Sequence, residues 1–157
     1  MHDLDMASLA RDLMRNAEAV VLTTVDGAGR PQSRAMLNLL NAGTYPALRD
    51  LMEEEGDSFV AWFTTNTSSR KMLDLRANRA VSAYYCRPSD WRGLTLGGDM
   101  EIIEDEAAKR RLWQPGWEMY YPLGPSDPDY AVLRLRPTLV KYYHQLRSAV
   151  LVGLDNG

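Results

Sequence analysis

Apolar residues at Met6, Leu9, Ala10 and Leu13 recur at the spacing of one helix face, while Ser8, Arg11, Asp12 and Arg15 lie elsewhere around the wheel. This predicts an amphipathic helix over residues 3–16. The period then changes. Val20 to Val25 is apolar and β-branched, and Asp26-Gly27-Ala28-Gly29-Arg30-Pro31 supplies a tight reversal. The return strand, 32–40, alternates, with Arg34, Met36 and Asn38 on one face and Ser33, Ala35, Leu37 and Leu39 on the other. Residues 41–56 carry only a short helix at about 46–54. A strand over 58–65, a helix ending at Ala77 with Asn78 at its C-terminal cap, and a strand over 79–87 come next. Leu94 to Ile103 alternates as a long strand whose Gly97 and Gly98 permit a bend. A helix over 105–113 has acids in its first turn and Lys109, Arg110 and Arg111 in its last, as the helix dipole prefers. The loop 117–128 is rich in aromatics and prolines, and a final strand over 130–145 is interrupted at Pro137.

About six antiparallel strands in one sheet would leave exposed edges, which closure into a barrel removes. The expected fold is therefore mainly β: a six-stranded antiparallel β-barrel with flanking helices. It forms a single domain over 1–157, with the helix at 3–16, the barrel at 17–145 and a short tail at 146–157 that is frayed or used in contacts.

Composition narrows the function. At 157 residues and 45% hydrophobic, the chain holds enough apolar material for one core. A net charge of −3 with interspersed signs lacks the basic footprint of a nucleic-acid binder. No apolar run approaches the ~20 residues that span a bilayer, and the N-terminus lacks a signal-peptide pattern, so a soluble, cytoplasmic protein is expected. One cysteine, Cys86, excludes an internal disulfide, and His2 and His144 are too far apart to assemble a His-rich metal site.

Candidate chemistry concentrates in Trp62-Phe63-Thr64-Thr65-Asn66-Thr67-Ser68-Ser69-Arg70-Lys71, a buried strand feeding a helix. Asn66 or Thr67 suits the helix N-cap, which puts Ser68, Ser69, Arg70 and Lys71 in the first turn. Cations there oppose the helix dipole unless an anion sits among them, and a phosphate fits. The plain alternative is a capped surface helix with solvated cations. Arg34, on its own strand face, is a third candidate for the same anion.

These segments resemble the flavin mononucleotide (FMN) binding split barrels of the pyridoxamine 5'-phosphate oxidase superfamily, and more closely its general stress protein branch. Pro31 to Leu37 is similar to the family's second-strand motif, Phe63 to Lys71 to its phosphate motif ending in Ser-Arg-Lys, and Gly93 to Ile103 to the strand that follows. The spacing of Trp113, Trp117, Tyr121-Pro122, Gly124-Pro125 and Asp127-Pro128 points to the stress-protein branch. The resemblance implies a split β-barrel in which Arg34 and the backbone of Ala35, Met36 and Leu37 contact FMN. It further implies that Thr64 and Thr65 flank the ring or ribityl chain, and that Ser69, Arg70 and Lys71 hold the phosphate. It also implies a homodimer with the cofactor between subunits. Trp91, Trp113 and Trp117 are aromatic candidates for covering the ring, with core or dimer packing as the alternative for each.

Two departures bear on substrate. The pyridoxamine phosphate oxidases have a lysine where Leu39 stands and an Arg-Leu-His-Asp-type motif near the end, where this chain has Arg134-Leu135-Arg136-Pro137. Both argue against oxidation of a B6 vitamer. The expected function is an FMN-dependent oxidoreductase acting on a small molecule. Its alternatives are a flavin-binding store, sensor or stress-response protein without turnover, and a split barrel that takes deazaflavin F420 or haem, for which His144 is the candidate axial ligand.

Overall fold

A computed structural model of the chain describes residues 3–56 and 58–153. His2 and the end of the expected tail, 154–157, lie outside the described residues. Helix α1 (Asp3–Asn16) buries Met6, Ala10, Leu13 and Met14 against the barrel, the face its periodicity predicts. Strands β1 (Ala19–Val25) and β2 (Pro31–Leu37) form the expected hairpin. Its turn is organised by Asp26, whose Oδ1 accepts the backbone N–H groups of Ala28 and Arg30 at 2.9 Å each. Gly29, at φ 79°, takes the left-handed conformation the turn requires.

After a short helical segment, 46–53, the chain enters β3 (Ala61–Asn66), helix α3 (numbered after α2, Arg49–Glu53) over Arg70–Ala77, and β4 (Ala80–Arg87). Asn78 ends α3 in an extended conformation. Then come β5 (Arg92–Ile103), α4 (Glu106–Leu112), β6 (Tyr130–Leu135), β7 (Leu139–His144) and β8 (Arg147–Val152). Asp105 caps α4 by accepting from the Ala108 N–H at 3.3 Å.

The strands follow the order β2-β1-β4-β5-β6-β3, a curled antiparallel six-strand path, with β7 and β8 branching from β5. This is the mainly β barrel with flanking helices that the alternation predicts, in the split form that the resemblance implies. The split occurs within β5. Its first half, Arg92 to Gly97, pairs with β7, and its second, Met100 to Ile103, pairs with β6. Gly98 sits at the branch, where a Cβ would lie 3.3 Å from the Leu135 side chain and from the Thr138 backbone nitrogen. The strand expected over 130–145 is therefore two strands that pair with different halves of β5, separated at Pro137, which cannot donate a ladder hydrogen bond. The expected tail differs as well: residues 147–152 add to β7 as β8.

Strands β3 and β6 are buried on both faces, which accounts for the continuous apolar run into Trp62-Phe63. Phe63, Leu133 and Leu135 face the barrel interior with Leu22, Leu94 and Tyr142. Trp62, Tyr130 and Val132 face a second core with Leu39, Leu48, Leu112, Trp117 and Tyr121. Among the described residues no helix is long and apolar enough to cross a membrane.

The outer face of β4, β5 and β7 holds one tight constraint. Tyr84 and Tyr143 join hydroxyls at 2.5 Å across Gly93, where any Cβ would collide with the Tyr143 ring and the Tyr84 hydroxyl. Gly93→Ala is expected to cost about 1–3 kcal/mol. Thermal denaturation checks this, and adding Tyr143→Ala, which removes the obstructing ring, recovers part of the loss in a double-mutant cycle.

Candidate functional site

The loop from β3 into α3 departs from its expected geometry. Ser69, in extended conformation, is the N-cap, so α3 begins at Arg70, and Ser68 lies before the helix. Asn66 and Thr67 do not cap it. Asn66 Nδ2 instead donates to Asp129 Oδ2 at 2.7 Å, the Ser68 N–H donates to Asp129 Oδ1 at 2.8 Å, and the Thr67 N–H donates to the Asp129 carbonyl at 2.7 Å. The Asn66 side chain and then the Ser68 N–H hold the Asp129 carboxyl below its ordinary range. Asp129 thus staples the loop to the segment before β6. The local signal for this role is a second acid directly after Asp127-Pro128.

Two of the expected cations converge behind the loop. Lys71 points back along α3, and its Nζ donates to Thr65 Oγ1 at 2.8 Å; that hydroxyl lies 3.4 Å from Ser69 Oγ. Arg34 comes from β2 on the face shared with Met36, as the alternation predicts. Its Nη1 donates to Thr24 Oγ1 at 2.8 Å, and the Thr24 hydroxyl donates to Asp74 Oδ2 on α3 at 3.0 Å. Burial lowers the pKa of both cations. The nearby Arg34 charge lowers Lys71 further, whereas Asp74 opposes the shift on Arg34. No ion pair neutralises Lys71 among the described residues. Arg70, the first residue of α3, is exposed.

Beside Lys71 lies an open hollow of about 390 Å³ lined by Ala19, Ala35, Met36, Leu37, Thr64, Thr65, Asn66, Lys71, Tyr120 and Tyr121. It brings together six residues expected from sequence: Ala35 to Leu37, Thr64, Thr65 and Lys71. Tyr120, Tyr121, Thr24 and Asp74 were not among them. The aromatic loop 117–128 was the signal for the tyrosines, whereas nothing local marks Thr24 or Asp74. Burial raises the pKa of Tyr121, and the neighbouring Thr64 side chain opposes the shift. Trp113 stands behind the wall, its ring 5.9 Å from Tyr121 and 5.1 Å from Tyr130, and Trp117 is buried in the same cluster. Trp91 is not brought to the hollow. It is exposed in the turn between β4 and β5, at φ 52°, beside Tyr143 and Leu146. His144 lies on β7, opposite Arg92, with its Nδ1 buried and unpartnered.

What this arrangement offers is a cationic, hydroxyl-lined end and an apolar, aromatic wall, suited to a planar molecule carrying a dianion. The chain is similar over its length to solved structures of this architecture. A protein related to general stress protein 26, of the pyridoxinephosphate oxidase family, from Clostridium acetobutylicum is 29% identical, with a TM-score of 0.74 over 96% of this chain and 95% of that one. General stress protein 26 from Bacillus anthracis is 20% identical, with a TM-score of 0.67 over 92% and 97%, a likeness of fold. An F420 reductase is 25% identical, with a TM-score of 0.55 over 83% and 94%. The comparison with curated proteins finds no match. The pyridoxamine 5'-phosphate oxidase family model matches residues 6–144, and the chain belongs to that family.

Proposed function

We propose that the chain is an FMN-binding homodimer that oxidises or reduces a small molecule through its flavin. The observation that carries this reading is the pairing of Arg34 and Lys71, two partly desolvated cations whose charges feel each other and which donate to hydroxyls, Arg34 to Thr24 and Lys71 to Thr65. Like charges in low dielectric repel, and a bound dianion relieves that repulsion. The residues fit the group. Lys71, Ser69 and Arg70 would hold the phosphate, with Arg34 behind them. Thr64 and Thr65 would flank the ribityl chain, and the backbone of Ala35 to Leu37 and Tyr121 would bound the ring.

Bound FMN supplies hydride transfer, and the protein's part is to hold, orient and shield it. Leu37 and the tyrosines exclude water from one side. The other side is open in a single chain. Ala35 and Leu37 continue from the hollow onto an outer sheet face whose centre, Val21, Thr23, Ser82, Tyr84 and Thr95, carries no charged side chain. Charge depletion of this kind suits an interface core, and a second copy seated there would close the site.

The F420 alternative draws on the likeness to an F420 reductase. The haem alternative lacks support at the hollow, because His144 is on β7 and does not line it. A flavin store or sensor without turnover is consistent with a hollow free of carboxylates and histidines. Titration separates these. FMN should quench on binding and should bind about ten- to a hundredfold more tightly than riboflavin, the worth of charge-assisted hydrogen bonds to a phosphate. The protein should also sediment at twice the chain mass. Equal affinity for riboflavin, or preference for F420 or haem, overturns the assignment. Reduction of the bound flavin by NADH or NADPH separates an enzyme from a store.

A further inference from the structure

A second hollow lies away from the Arg34 and Lys71 site, between the C-terminal end of α1 and the segment 39–53. It encloses about 210 Å³. This is below the roughly 300–1,000 Å³ of pockets that take drug-sized ligands, so it suits a small body and not a nucleotide. Its floor is apolar, made by Leu39 and Leu48, both fully buried, with Met52 and Tyr45 on the walls. Its mouth is charged, with Arg15 from the last turn of α1 and Arg49 from the first turn of α2 against the single carboxylate of Glu53.

Neither arginine forms a hydrogen bond or ion pair among the described residues. Elsewhere the chain pairs its guanidiniums readily. Arg111 makes a two-pronged contact with Glu54, the residue next to Glu53, and Arg134 holds Glu101 at 2.6 Å. The mouth therefore keeps a net charge of about +1 above an apolar floor, the complement of a monoanion with an apolar body.

We propose that this hollow binds a small amphipathic carboxylate, with its acid group between Arg15 and Arg49 and its apolar body on Leu39 and Leu48. The site is independent of the flavin reading, since it shares no lining residue with the other hollow. The probes are hexanoate, 1-hexanol and hexylamine, which have the same chain and differ in head group. They are titrated into the full chain while the methyl resonances of Leu39, Leu48 and Met52 are followed.

Hexanoate is expected to bind about tenfold more tightly than hexanol, and hexylamine most weakly, as two partly exposed guanidiniums allow. Arg15→Gln and Arg49→Gln should each weaken hexanoate about two- to fivefold and leave hexanol unchanged, and added salt should act in the same direction. Glu53→Gln should tighten hexanoate about twofold, a gain that damage to the fold would not produce. Because all three side chains are exposed, the melting temperatures of the variants should stay near that of the parent. Hexanol binding as tightly as hexanoate, shifts confined to other methyls, or an unchanged affinity in the double arginine variant overturns the proposal.

Discussion

Lys71→Met is expected to stabilise the cofactor-free protein while weakening its hold on FMN about ten- to a hundredfold. The two effects have one cause. Lys71 is half-buried, its ammonium group is disfavoured first by burial and then by the Arg34 charge, and one neutral hydroxyl, that of Thr65, accepts from it. Methionine keeps most of the apolar stem and removes the charge, a gain of about 1 kcal/mol of the kind found where function opposes stability. For a chain of this size that raises the melting temperature by about 2–4 °C. Binding moves the other way, because a charge-assisted contact to the phosphate, worth about 1.5–3 kcal/mol, is lost. Thermal melts and FMN titrations on the same preparation check both signs. A variant that melts lower and binds FMN normally would make Lys71 a structural residue.

The depressed Lys71 pKa also gives each effect a pH dependence of opposite slope. Between that lowered value and the ordinary 10.5, the unfolded chain holds more protons than the folded one, so this group's contribution to stability rises with pH. The bound phosphate favours the ammonium form, so FMN affinity should fall as pH rises through the lowered pKa of the free protein. The phosphate's own second ionisation, near pH 6, acts with the opposite sign, since the dianion binds the cations more tightly. Lys71→Met should flatten both profiles.

How far these features were legible in the chain depended on whether local pattern or distant partners decided them. Alternation in β2 put Arg34 on the face of Met36 and Asn38, and the antiparallel register with β1 keeps it there, with Arg34 opposite Leu22. Asn38, on the same face, is spent elsewhere: its amide donates to the carbonyls of Met14 and Ala17 at 2.9 and 2.8 Å, closing the end of α1. The start of α3 was misplaced because Asn66, a good capping residue by type, is claimed by Asp129 from far along the chain. Gly97 and Gly98 announced a bend, but not that β5 changes partners there, since that depends on where β6 stops. Strand β8 is apolar without a break from Ala149 to Val152, so its sequence carries no alternation, and its pairing with β7 decides it. Nor does residue type separate the tryptophans. Trp113 backs the wall of the hollow and Trp91 stands exposed elsewhere because of the turns that carry them.

The largest loss of stability is expected from Arg92→Ala, at a residue with no part in the proposed flavin site. Arg92 opens β5 and is only 4% exposed. Its Nε donates to the Tyr142 hydroxyl at 2.7 Å, its Nη2 donates to the Leu9 carbonyl on α1 at 2.7 Å, and its guanidinium carbon lies 5.9 Å from the Tyr142 ring centroid. The facing carboxylate, Asp12, stands at 3.8 Å and is largely exposed, so the hydrogen bonds and the packed stem outweigh the ion pair. Alanine removes them together and leaves a void under α1, a cost of about 3–5 kcal/mol. At 2–4 °C per kcal/mol, the melting temperature should fall by roughly 10 °C. Arg92→Met fills most of the void without donating, so recovery of about half the loss would divide the effect between stem and hydrogen bonds, whereas full recovery would assign it to packing. Amide exchange in α1 should quicken before that of β3 and β6, because the anchor lies between α1 and the barrel wall. Below its melting transition the variant should bind FMN as the parent does, since the hydrogen bonds of Arg34 and Lys71 go to β1 and β3. Lys71→Met therefore alters binding in a protein that melts higher, and Arg92→Ala alters melting in a protein that binds normally.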